Sequence, residues 1–138
     1  MTRSFSSSAI LLIVLAACGG PLQYEMRGTQ LSPGADAKLE AKVDEKRNMT
    51  QLDLQAINLT PPDRVVDGGT SYVVWTRKNS EAPWKRLGAI QLEDDGRSGN
   101  ANLTVSEVAF DLQVSVEKNA QAASPSGKTM FEQRVQQE

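Results

Sequence analysis

The feature that most constrains this chain is a two-residue rhythm. From Phe110 to Val116, apolar Phe110, Leu112, Val114 and Val116 alternate with polar Asp111, Gln113 and Ser115. Successive side chains of a β-strand point to opposite faces, so such a run can bury one face and wet the other. On a helix the same residues would spread around the axis and form no stripe. The rhythm recurs at Ala37, Leu39, Ala41 and Val43, interleaved with Lys38, Glu40 and Lys42. It recurs again at Leu52, Leu54 and Ala56, interleaved with Gln51, Asp53 and Gln55.

Turn chemistry separates these runs. Residues 44–48, DEKRN, supply a polar reversal, and Pro61-Pro62 closes the second run because neither nitrogen can donate to a ladder. Asp67-Gly68-Gly69, the segment EDDGRSGN and the segment ASPSGK punctuate the rest. Between them lie four further strand-like pieces: TSYVVWTR, WKRLGAIQL, ANLTV and TMFEQRV. About seven strands at this spacing, with no convincing helix, predict an all-β fold of two antiparallel sheets packed face to face. The domain is expected over 35–138. Residues 18–34, rich in Gly, Pro and polar side chains, are expected to be a flexible tether, with a short first strand near Leu22–Met26 as the alternative. Trp75 is expected in the core or as a plug between sheets. Tyr72, an odd number of positions away, should face the opposite side of its strand, so one of the two should look away from the core. Trp84, beside Pro83 in a loop, is the candidate for an exposed contact surface.

Composition removes several function classes. The chain has no histidine, which deletes the usual general base and the commonest metal ligand. Its net charge of −2 offers no basic footprint for nucleic acid. The pairs Asp94 with Asp95 and Asp63 with Asp67 sit in turns, where carboxylates stay solvated, whereas a catalytic pair needs burial or a coupled partner. EDDGRSGN lacks the ligand spacing of a calcium loop. Asn48-Met49-Thr50, Asn58-Leu59-Thr60 and Asn102-Leu103-Thr104 fit the glycosylation acceptor and read as chance matches. The expectation is therefore a protein that is not an enzyme, with no catalytic residues, no metal and no cofactor.

One segment carries an address. Met1–Ser8 is short and polar and contains Arg3; Ala9–Ala17 is unbroken apolar sequence; the single cysteine, Cys18, follows at once. That order has the anatomy of an export signal, and it falls short of the roughly 20 apolar residues of a membrane span. Leu15-Ala16-Ala17-Cys18 resembles the lipobox of bacterial lipoproteins. The resemblance implies a signal peptide over 1–17, recognised by signal peptidase II through Leu15, Ala16 and Ala17. It also implies a diacylglycerol on the Cys18 sulfur, whose thiolate is the nucleophile. Gly19 stands where aspartate would retain such a protein in the inner membrane. Attachment to the cell outer membrane is therefore expected, facing the periplasm or the cell surface, with the membrane and an unidentified envelope protein as partners.

A second resemblance spans roughly Leu39 to Val135. TPPDRVVDGGTSYVVWTR, WKRLGAI and FDLQVSVEKNAQAASPSGKTMFEQRV are similar in order and spacing to the extracytoplasmic C-terminal domain of anti-sigma-K-type factors. It implies an immunoglobulin-like sandwich with a sensory or interaction role and carries over no residue-level site. The sigma-binding helices and membrane span that precede the domain in that family are not expected here, so sigma binding is not carried over either. TMFEQRV is the edge strand expected first to accept an added strand.

Overall fold

The computed structural model describes residues 20–137. Leu15, Ala16, Ala17, Cys18 and Gly19 lie outside the described residues.

Nine strands and one helical turn make up the described chain. They are β1 (Leu22–Arg27), β2 (Asp36–Asp44), β3 (Met49–Ile57), α1 (Pro62–Val65), β4 (Ser71–Arg77), β5 (Lys85–Ala89), β6 (Gln91–Leu92), β7 (Gly99–Val105), β8 (Phe110–Glu117) and β9 (Thr129–Val135). A five-stranded sheet has the order β1-β2-β3-β7-β6 and a four-stranded sheet the order β5-β4-β8-β9, with every pairing antiparallel. The expected all-β sandwich is the fold observed.

The count of about seven strands is corrected to nine for two physical reasons. WKRLGAIQL does not form one strand: Val73 pairs with Ala89 in one sheet while Gln91 pairs with Asn100 in the other. The chain changes sheets at Ile90, whose N–H still donates to Tyr72 O. Two residues earlier, Gly88 packs close to the other sheet: a Cβ there would stand 2.7 Å from a methyl of Leu103. The second addition is β1, which pairs along its whole length with β2, from Leu22 opposite Ala41 to Arg27 opposite Asp36. Part of the 18–34 stretch is thus a strand, the alternative that the sequence offered, and the first strand of the described residues begins at Leu22. Met26 faces inward and is buried. Beyond β1, Gly28 and Ala35 close a short loop through an N–H to carbonyl bond, and Thr29 N donates to Met130 O of β9.

The core lies between the sheets and follows the two-residue rhythm. Leu39 and Ala41 of β2 and Leu52, Leu54 and Ala56 of β3 face Tyr72 and Val74 of β4 and Phe110, Leu112, Val114 and Val116 of β8. A bulge between Val114 and Ser115 in the β8–β9 ladder turns two consecutive residues, Met130 and Phe131, into the core. The turns explain residues that the alternation did not. Asn48 and Asn58 sit at φ 52° and 54°, a left-handed conformation that Asn tolerates better than most residues. Both belong to acceptor-like triplets, and the backbone supplies a sufficient reason for the asparagine. Gly69 closes the loop after α1, where a Cβ would lie 2.3 Å from the Pro62 carbonyl oxygen.

If alternation sets burial, the two faces of β3 should differ sharply in tolerance. Leu54 is 1% exposed and Gln51 is exposed. Leu54→Ala is expected to destabilise by about 2–5 kcal/mol, and Gln51→Ala to stay within about 0.5 kcal/mol, measured by urea denaturation.

Candidate functional site

The outer face of the four-stranded sheet is where the chain departs from a simple sandwich. Tyr72 belongs to the core, where its hydroxyl donates to the carbonyl oxygen of Thr60. Trp75 is on the other side of β4, as their odd separation required, yet it is fully buried. The segment that follows β8 covers this face. Arg86 Nε, on β5, donates to Ala120 O across β4 at 2.6 Å, and Ser126 Oγ donates to Val116 O at 2.9 Å.

Beneath this cover lies a buried polar chain. Trp75 Nε1 donates to Ser115 Oγ at 2.8 Å, and Ser115 Oγ donates to Glu117 Oε2 at 2.6 Å. Glu117 Oε2 also accepts the Ser126 N–H at 3.0 Å. Thr129 Oγ1 donates to Gln113 Oε1 at 2.8 Å along the same face. The rhythm that places Ser115 and Glu117 opposite the core placed them, in sequence terms, in water. Their burial comes from the returning segment, and a polar group removed from water must be hydrogen-bonded. Among the described residues no buried side-chain nitrogen or oxygen lacks a partner.

At one end of the same face the cover stops and an open depression begins, with a volume of about 320 Å³. Trp84, the candidate for an exposed contact, is half-buried here. The Arg77 guanidinium stacks over its ring at 4.2 Å. Arg77 Nε donates to Asp111 Oδ2 at 3.0 Å, and Arg134 Nη1 donates to Asp111 Oδ1 at 3.2 Å and to Lys78 O at 2.9 Å. Two guanidinium groups thus share one carboxylate, with Glu132 on the rim. The arrangement orients Trp84 and sets two guanidinium groups and two carboxylates beside it. It can hold an anionic or planar group at the surface and encloses no reaction space.

The other residues singled out in the sequence are dispersed. Asp94 and Asp95 occupy the exposed turn between β6 and β7, where Asp95 Oδ1 accepts the Arg97 N–H. Asp63 is in α1, and Asp67 lies in the exposed loop after it. Among the described residues no three acidic or thiol side chains converge as a metal ligand set. TMFEQRV is β9 and forms an edge of its sheet, though part of that edge is occupied. Thr29 Oγ1 and N donate to the carbonyls of Thr129 and Met130, and the Tyr24 hydroxyl bonds both N and O of Gln136. Sequence reasoning missed Arg77, Asp111 and Arg134, because the contact needs β4, β8 and β9 side by side. The pairings Arg77 opposite Asp111 and Asp111 opposite Arg134 are the register that makes it. The outer face of the five-stranded sheet is polar and open, with a depression of about 370 Å³ between Glu40, Lys42, Asp53 and Asn102.

No protein-family model, curated protein or solved structure matches the chain. The site therefore rests on its own geometry.

Two measurements follow. Ser115→Ala strips the partner from the Trp75 N–H and one from Glu117, and is expected to destabilise by about 1–3 kcal/mol, with a matching rise in proteolytic cleavage within 118–128. The second concerns Tyr72, whose hydroxyl burial pushes up to about 12 from its ordinary 10. The unfolded chain releases that proton first, so the Tyr72 contribution to stability is complete below pH 10 and is lost as pH rises toward 12. Denaturation midpoints of the wild type should fall faster across that window than those of Tyr72→Phe.

Proposed function

We propose that this protein is a non-catalytic module of the cell envelope, held on the outer membrane by lipid attached to Cys18, that works through contacts of its surface. The observation that carries this reading is the succession of a basic start, an apolar run and Leu15-Ala16-Ala17-Cys18, followed at Leu22 by the first strand of a folded domain. An export signal that ends where folding begins suits a protein that is exported and then retained. Two or three acyl chains give a firm anchor, since each buried methylene contributes about 0.8 kcal/mol while a single chain binds only marginally. The surface offers open polar depressions, one of which adjoins Trp84 and the Arg77 stacked on it. That geometry favours docking over enclosed chemistry.

A second reading is a sensory or regulatory domain. It is favoured by the order of motifs shared with anti-sigma-K-type factors, and it would require a partner that crosses the inner membrane.

The test is intact mass and N-terminal peptide mapping of the protein purified from its own membranes, paired with Cys18→Ser. A chain that starts at Cys18 and carries diacylglycerol is expected, and Cys18→Ser should fold normally while leaving the membrane fraction. A different start with a free thiol, or a Cys18→Ser protein that still pellets with membranes at high salt, would overturn the reading.

A further inference from the structure

The distance along the chain from Cys18 to β1 decides how the sandwich must sit. Four peptide units separate Cys18 from Leu22, and that length of chain spans at most about 14 Å however it is arranged. Leu22 pairs with Ala41, and β2 continues to Asp44 before its reversal. Those three further residues rise about 10 Å beyond the level of Leu22, and the reversal at 45–48 extends past them. The leash is therefore of the same order, about 10–14 Å, as the part of the domain that projects beside it.

The same end of the sandwich is shared by other connections. Asn48 Nδ2 donates to Ser106 O and Thr50 Oγ1 to Glu107 O, which places the β7–β8 connection there. Arg77 ends β4 opposite Asp111, so the loop 78–84 with Trp84 emerges beside it. The Tyr24 hydroxyl, two residues into β1, bonds both the N–H and the carbonyl of Gln136 at 3.2 Å and so ties the start of β1 to the end of β9.

We infer that this end of the sandwich, with Trp84 and the cations around it, rests in the phospholipid headgroup layer of the membrane that holds Cys18. The inference depends on the lipid anchor proposed above and adds an interaction surface to it. Lys46, Lys78, Lys85 and Arg47 reach solvent at this end, alongside Asp44, Glu45, Glu81 and Glu107. Trp84 is flanked by Arg77 and Lys85, and an amphipathic ring bracketed by cations matches the polarity step at a bilayer surface. Lipid phosphate oxygens are the acceptors that Arg77 and Arg134 would meet in the depression beside Trp84. The opposite end, with α1 and the turn at Glu93–Gly96, then points away from the membrane and is left for a protein partner.

Cysteine variants of the full lipidated chain test this, because Cys18 is the only native thiol and lipid blocks it. A fluorophore is placed at Lys46→Cys, Ser80→Cys or Asp94→Cys, and each protein is reconstituted in phosphatidylethanolamine and phosphatidylglycerol vesicles containing headgroup-nitroxide lipid. Quenching is expected to be several-fold stronger at positions 46 and 80 than at 94. A Gly/Ser spacer of about a dozen residues between Gly20 and Pro21, adding roughly 20 Å of mean reach, should reduce the difference. Equal quenching at 46, 80 and 94 in protein whose mass shows the lipid would overturn the orientation and leave the anchor standing. Protein whose mass shows no lipid would overturn both.

Discussion

Strand β8 is buried on both faces, and the rest of the molecule is arranged to allow it. Phe110, Leu112, Val114 and Val116 fill the centre of the core, while Gln113, Ser115 and Glu117 on the opposite side are also shut off from water. The first set obeys the hydrophobic effect at about 25 cal/mol for each Å² of apolar surface removed. The second set can be buried because each side-chain nitrogen or oxygen fully shut off from water finds a partner, since an unpaired one would cost about 1–3 kcal/mol. A strand with an apolar face and a hydrogen-bonded polar face needs a cover on each side. The five-stranded sheet supplies one and the 118–128 segment supplies the other.

That double cover determines where function can be sited. Over most of the four-stranded sheet the outer face is occupied by the chain itself, from Arg86 reaching Ala120 to Ser126 reaching Glu117 and Val116. The exposed remainder is the end at Trp84, Arg77, Asp111 and Arg134. The same end lies within a short reach of Cys18, because β1 begins only four residues after it. An anchor on so short a leash would act on orientation as well as on location, and would turn the acidic turn at Glu93–Asp95 outward.

Much of the sandwich was legible because alternation is a local property. Ala37–Val43, Leu52–Ala56 and Phe110–Val116 each declare a buried face without reference to any other part of the chain. β1 was less legible: Leu22, Tyr24 and Met26 do alternate, but Gly and Pro on either side gave the segment the composition of a linker. The break at Ile90 was not legible, because KRLGAIQL has strand propensity throughout and only the position of β7 requires a change of sheet. Of the candidate contact, Trp84 stood out by its place beside Pro83. Arg77, Asp111 and Arg134 lie 57 positions apart at their extremes and become neighbours only through the β4–β8–β9 register.

The sequence by itself determined that the chain is all-β, which residues of each alternating run share a face, and that a single thiol follows an apolar run. These are consequences of residue spacing and of the chemistry of one side chain. Only the tertiary structure decided that Trp75 and Glu117 are buried, that β1 joins the sheet, and that Trp84 lies under the guanidinium of Arg77, one of two arginines that share the Asp111 carboxylate. Each of those depends on what covers or pairs with a strand, and covering is a property of segments distant in sequence that alternation within a strand does not encode.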